Sequence, residues 1–190
     1  MKNKIFFVSI LFIVVTSGKA FSTAQMADHL IYKGETLPIF TNPLESFFSD
    51  KNPRPSNTFH FLCTACWRGY IATWKIEDNK LYLIKIVEGT CSSDAPEIDV
   101  SKIFKGKKLP VEAYWYSGIL RIPRGKMLSY VHMGYGSVYE KELILTIENG
   151  KLVKEETIDN IKKNIPSEEK RTNEELEKLG EWELKNLNNK

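Results

Sequence analysis

Apolar and polar positions alternate most regularly between Gly69 and Val87, where two runs of β-forming residues flank Asp78-Asn79. Asn and Asp are the non-glycine residues that best tolerate a positive φ, as a two-residue hairpin turn requires. A hairpin turning there sets Glu77 opposite Lys80, Ile76 opposite Leu81 and Trp74 opposite Leu83. Directly opposed residues share a sheet face, so Trp74, Ile76, Leu81 and Leu83 form one apolar cluster. The same register places Thr73 with Ile84 and Ile71 with Ile86 on the other, also largely apolar, face. A hairpin with two apolar faces is expected at the centre of the fold.

A second hairpin spans Val138 to Glu156 and turns at Asn149-Gly150, the strongest short hairpin signal in the chain. It sets Ile147 opposite Leu152 and Glu148 opposite Lys151. The two turns read alike, Ile76-Glu-Asp-Asn-Lys-Leu81 against Ile147-Glu-Asn-Gly-Lys-Leu152. Six residues fit a duplication or the same turn chemistry used twice.

Shorter elements complete the pattern. Leu30-Ile31-Tyr32 predicts a first strand, and Thr36 to Phe40 a second, confined to an edge by Pro38. Residues 42–57 hold three prolines and read as a loop, with Leu44, Phe47 and Phe48 covering the core as one helical turn. Phe59 to Cys66 is a further strand candidate. Residues 89–108 are loop-like, with a helical turn at Val100 to Phe104 and solvated lysines at 102, 105, 107 and 108. Val111 to Ile122 is rich in β-formers, bent at Gly118 and closed by Pro123-Arg124-Gly125, and Met127 to His132 is another short run. From Ile158 onward the chain is dense in Lys, Glu and Asn. There Asn173-Glu174-Glu175 resembles a helix start and Leu176, Leu179 and Leu187 give a thin apolar stripe. The expected fold is mainly β, an antiparallel sandwich or partly open barrel built from hairpins, with a C-terminal amphipathic helix.

The N-terminus changes the charge picture. Lys2 and Lys4 precede an apolar run from Ile5 to Val15, far short of the ~20 residues that span a membrane. Small residues follow at Gly18, Ala20, Ser22 and Ala24. This is the pattern of a secretory signal peptide, with cleavage placed after Ala24 and no stable membrane span afterwards. The expected organisation is a signal peptide over 1–24, a β domain over 25–157 and a charged helix or tail over 158–190. The leader carries three of the 27 basic residues and no acid, so 24 bases face 24 acids in the remainder. Net neutrality removes the electrostatic support for nucleic-acid binding.

Three cysteines, Cys63, Cys66 and Cys91, are the disulfide candidates. In a regular strand Cys63 and Cys66 point to opposite faces about 10 Å apart, beyond the ~7 Å Cα separation of a disulfide. They pair only if the chain turns there; Cys66–Cys91 and Cys63–Cys91 are equal alternatives, and buried free thiols a third. Cys-x-x-Cys is also the spacing of a redox pair, although no βαβ context surrounds it. Zinc would need His60 or His132 as a fourth ligand at a spacing the sequence does not offer. No metal and no cofactor is expected.

The candidate pocket is the segment from Tyr130 to Tyr139, with Glu140 or Glu142 as its acid or base. Glycines between tyrosines beside a histidine can line a cavity, with His132, Tyr135, Tyr139 and Glu142 as its groups; a glycine-bent loop with aromatic packing is the plainer alternative. Trp67, Tyr70, Trp74, Tyr82, Tyr114, Trp115 and Tyr116 suit sheet faces, mostly in the core. The leading expectation is a non-catalytic exported domain that binds a protein, a cell-envelope component or a small ligand. The alternatives are a hydrolase-like enzyme using the His132–Glu142 loop and a periplasmic thiol protein using Cys63 and Cys66.

The blocks Trp67 to Trp74, Asn79 to Leu83, Trp115 to Pro123 and Tyr130 to Glu140 resemble those of a family of uncharacterised exported bacterial proteins without an assigned activity. The resemblance covers about residues 30–153 and leaves out the tail. It implies a bacterial protein, periplasmic or secreted, and brings no functional residues with it.

Overall fold

The computed structural model describes residues 23–162. They form one open, mixed sheet of eight strands: β1 Asp28–Tyr32, β2 Glu35–Ile39, β3 Tyr70–Glu77, β4 Lys80–Glu88, β5 Val111–Glu112, β6 Gly118–Ser129, β7 Val138–Glu148 and β8 Lys151–Asp159. The order across the sheet is β2-β1-β3-β4-β8-β7-β6, with β5 beside β4. The expected C-terminal helix and most of the leader lie outside the described residues.

Both strong hairpins form where the turn chemistry places them. Asp78, Asn79, Asn149 and Gly150 all have positive φ, the conformation their turn requires. Glu77–Lys80, Ile76–Leu81 and Trp74–Leu83 are paired as expected, as are Glu148–Lys151 and Ile147–Leu152. Beyond Trp74 the first register departs from expectation. A bulge gives Ile84 no partner, so Thr73 faces Lys85, Ala72 faces Ile86 and Ile71 faces Val87. One extra residue returns Ile86 to the inner face, where it is buried with Trp74, Leu81 and Leu83.

The hairpins also meet each other at their tips. Lys80 pairs with Lys151. The Leu81 amide donates to the Gly150 carbonyl at 2.8 Å, and the Leu152 amide to the Asn79 carbonyl at 2.8 Å. Under the correspondence between the two turn sequences these two bonds exchange, so the joint has a local two-fold character. Elsewhere β4 and β8 diverge. At the far ends of the sheet β2 and β6 come together, where the Phe40 amide donates to the Arg121 carbonyl at 2.7 Å and Arg124 pairs with Glu35 at 2.8 Å. The core fills the curl: Leu30, Ile39, Trp74, Leu83, Leu120, Ile122, Leu145 and Ile147 are all fully buried.

Four local expectations need correction. The sheet is mixed, because β1 lies parallel to β3 with Leu30 beside Trp74; the long irregular stretch 40–69 supplies the crossover that a parallel pair needs. Phe59 to Cys66 is part of that stretch and not a strand, since the chain turns at Cys63 with the Cys66 amide on the Cys63 carbonyl at 2.9 Å. Pro123-Arg124-Gly125 does not end its strand. β6 continues to Ser129 through a register shift at Gly125, and Pro123 is accommodated because β6 is the last strand in the order. Trp67 and Tyr114 are exposed, not core. The helical turns near Leu44 and Val100 form as 3-10 turns at Glu45–Phe47 and Val100–Lys102, and Leu44, Val100, Ile103 and Phe104 are buried.

Candidate functional site

The most highly constrained polar cluster sits where β1, β3 and the segment 130–137 converge. Asp28 begins β1 and is fully buried. Its carboxylate accepts from the Ala72 amide at 3.0 Å, the Trp74 indole at 3.1 Å and the Arg68 guanidinium at 2.8 Å. A buried indole N–H needs an acceptor, and a buried carboxylate needs donors; each answers the other. Burial pushes the Asp28 carboxyl above its ordinary value, and the Arg68 charge and the three donors act against that shift. Arg68 goes on to donate to the Tyr135 hydroxyl at 3.1 Å and lies over the Tyr70 ring at 5.4 Å. The Tyr135 hydroxyl is 2.9 Å from the Met26 carbonyl and 3.0 Å from the Asn42 side-chain oxygen, and donates its one proton between them. Burial raises the Tyr135 phenol to about 12. Within this network the Arg68 Nε is buried without a hydrogen-bond partner. The network ties the first strand, the irregular stretch and the 130–137 segment into one frame.

The structure brings three of the four sequence-predicted pocket residues together. Tyr135 stacks on Phe40 with ring centres 5.2 Å apart, and Tyr139 meets the same ring edge-on at 5.8 Å. Glu142 is buried and paired with Arg121 at 2.6 Å. Arg121 also donates to the carbonyls of Tyr135 at 2.7 Å and Ser137 at 2.9 Å. His132 lies on the exposed part of the segment, against the Tyr130 ring at 4.6 Å. An open cleft of about 250 Å³ lies elsewhere, on the outer side of the first hairpin between Tyr82, Ile84 and Leu109.

The cysteines separate into a pair and a single thiol. Cys63 and Cys91 stand at disulfide distance, with Cα atoms 5.9 Å apart. Cys66 is buried and free, its thiol 3.1 Å from the Tyr70 carbonyl. Burial pushes that thiol up, away from the thiolate that nucleophilic or redox chemistry uses. Gly89 is packed so closely here that a Cβ would come 2.5 Å from the Cys66 sulfur.

Next to that pair lies a surface that the sequence did not point to. Phe61 is 64% exposed, Leu62 51% and Trp67 62%, all on one short loop. The loop is nonetheless well held. The Trp67 amide donates to the Gln25 side chain at 3.0 Å, the Gln25 side chain donates to the Thr64 carbonyl at 3.1 Å, and the Met26 amide donates to the Ala65 carbonyl at 2.7 Å. The Gln25 amide reaches the Gly134 carbonyl at 3.0 Å, which sets the exposed Tyr130 and Met133 segment beside the same strap. The missed signal was Phe61-Leu62 itself: two adjacent large apolar residues beside a cysteine do not alternate, so they fit neither a half-buried strand nor a polar loop.

No family model, curated protein or solved structure matches this chain.

Proposed function

We propose that this chain is an exported, non-catalytic β domain of bacterial origin, its curled sheet a partly open barrel, which binds a partner through the loop carrying Phe61, Leu62 and Trp67. The observation that carries the reading is the exposure of three large apolar side chains on a loop fixed by backbone hydrogen bonds and by the Cys63–Cys91 pair. An ordered apolar group facing water is a contact surface in waiting, since covering each such side chain gains about 1.5–3 kcal/mol. Tryptophan at the centre of a fixed loop is the residue type that most often dominates a binding interface. The partner is a protein or a cell-envelope component with an apolar surface. The Cys63–Cys91 spacing and the signal-like N-terminus support a periplasmic or secreted location.

The test is site-specific photo-crosslinking in an exporting bacterial host. A photoreactive residue at Leu62 should give a discrete adduct that is lost when Trp67→Ala is added, while the same residue at Lys105 should give none. Equal labelling at both positions, or none at either, overturns the proposal.

A further inference from the structure

β8 presents an edge that nothing among the described residues pairs with. One side of the strand is laddered to β7 from Lys151 to Asp159, with a bulge that leaves Val153 without a partner, and the other meets β4 only at its first residues, through Lys80–Lys151 and the Leu152 amide. From Val153 to Thr157 that second side is open, and all five residues are exposed. An open edge is a template for another strand unless its side chains forbid it. Charges usually do so, and this edge carries Lys154, Glu155 and Glu156. Their order is what distinguishes it. Read against itself in the antiparallel sense about Glu155, the regular part of the strand sets Lys154 opposite Glu156 and Glu156 opposite Lys154.

We propose that β8 pairs antiparallel with β8 of a second copy of this chain, in the register centred on Glu155. The pairing is isologous, as a two-fold dimer requires, so each favourable contact occurs twice. Lys154 and Glu156 lie on one face of the strand, where they already touch at 2.9 Å within the chain. In the dimer the two such pairs interleave, each lysine between two carboxylates. The self-opposed Glu155 is the one like-charge contact, and it is answered internally: its carboxylate accepts from Lys33 at 2.7 Å and from the Tyr32 hydroxyl at 2.8 Å. Those contacts also hold its carboxyl below the usual range. The charges that repel an unrelated strand thus select a copy of the same one. This inference does not depend on the loop at Trp67.

Sedimentation of the full chain over a concentration series, at low and high salt, tests it. A reversible monomer–dimer equilibrium is expected. Lys154→Glu and Glu156→Lys should each weaken it by about tenfold or more, because two attractive cross-strand pairs become repulsive. The double variant K154E/E156K should restore it, since the opposed charges are again complementary. A cysteine at the centre, E155C, should oxidise to a covalent dimer, because directly opposed Cα atoms lie within disulfide reach. A chain monomeric at every concentration overturns the proposal, as it would if residues 163–190 of the same chain filled this edge. Dimers indifferent to both single charge changes overturn it as well.

Discussion

The two hairpins begin from nearly the same turn and end in different surroundings. In β3–β4 the strands are enclosed: β1 lies beside β3, β5 beside β4, and Tyr70, Ala72, Trp74, Leu81, Leu83 and Ile86 are buried. In β7–β8 only β7 is enclosed, and β8 is exposed over most of its length. Turn chemistry therefore fixed the register near each tip, and neighbouring strands fixed the burial. The local two-fold joint shows how far the likeness goes. Two amide–carbonyl bonds exchange between Leu81–Gly150 and Leu152–Asn79, and each second strand carries one bulged residue, Ile84 in β4 and Val153 in β8, at different distances from its turn.

That comparison can be broken most forcefully at Trp74. It is fully buried and its indole is one of three donors to Asp28. Trp74→Ala should cost about 3–5 kcal/mol from lost packing, read as a drop in the denaturant midpoint. Val153→Ala, on the open strand of the other hairpin, should cost less than about 0.5 kcal/mol in the monomer. Comparable losses at both would mean that the hairpins are equally enclosed.

Alkali gives the next contrast. Tyr70, at the root of the first hairpin, is held neutral by burial well above its ordinary value, and Tyr135 is raised to about 12 from 10.0. A phenol whose folded value is raised stabilises the fold fully below the unfolded value. That contribution is lost as pH climbs through the folded one. Stability should therefore hold to about pH 10 and fall beyond it, with ultraviolet titration finding Tyr70 and Tyr135 ionising later than a free phenol. Simultaneous ionisation of all tyrosines in the folded protein would contradict the burial assigned to them.

The finest distinction is between the turns. Gly150 has φ +78, and a Cβ there would meet the Ala113 carbonyl at 2.8 Å. Gly150→Asn, which puts the second residue of the first turn into the second turn, should cost about 1–3 kcal/mol by overpacking. The reciprocal Asn79→Gly should stay within about 0.5 kcal/mol, since glycine suits the same φ. If both exchanges were silent, the closeness of Ala113 to the second turn would carry no energetic weight.

What could be read in the sequence follows from range. Hairpin turns, the edge position of the Pro38 strand and the two 3-10 turns depend on residues near one another, and they formed as expected. The bulge at Ile84 was hidden, because one extra residue changes every later pairing without changing composition. The parallel β1–β3 contact and the Asp28–Arg68 network were hidden for a different reason. Asp28 precedes an ordinary apolar run, and its need for donors at Ala72 and Trp74 exists only once the crossover has placed β1 beside β3. For the segment 130–142, the sequence pointed to residues that do gather, Tyr135, Tyr139 and Glu142. It had no means to show that Phe40 and Arg121, both earlier in the chain, fill the space between them.

The Cys63–Cys91 link encloses the whole first hairpin, and this has a mechanical meaning. The two cysteines are 28 residues apart in sequence yet 5.9 Å apart in space. A chain pulled from its ends carries its covalent tension from Cys63 directly to Cys91, so the chain between them is not drawn out even while β1 and β5 are peeled from β3 and β4. At roughly 3.4 Å per residue, about 90 Å of contour is withheld from extension until the link is reduced. The oxidised molecule under tension should release β6–β7–β8 and the N-terminal strands while the enclosed hairpin, shielded in series, stays wound behind its own clasp.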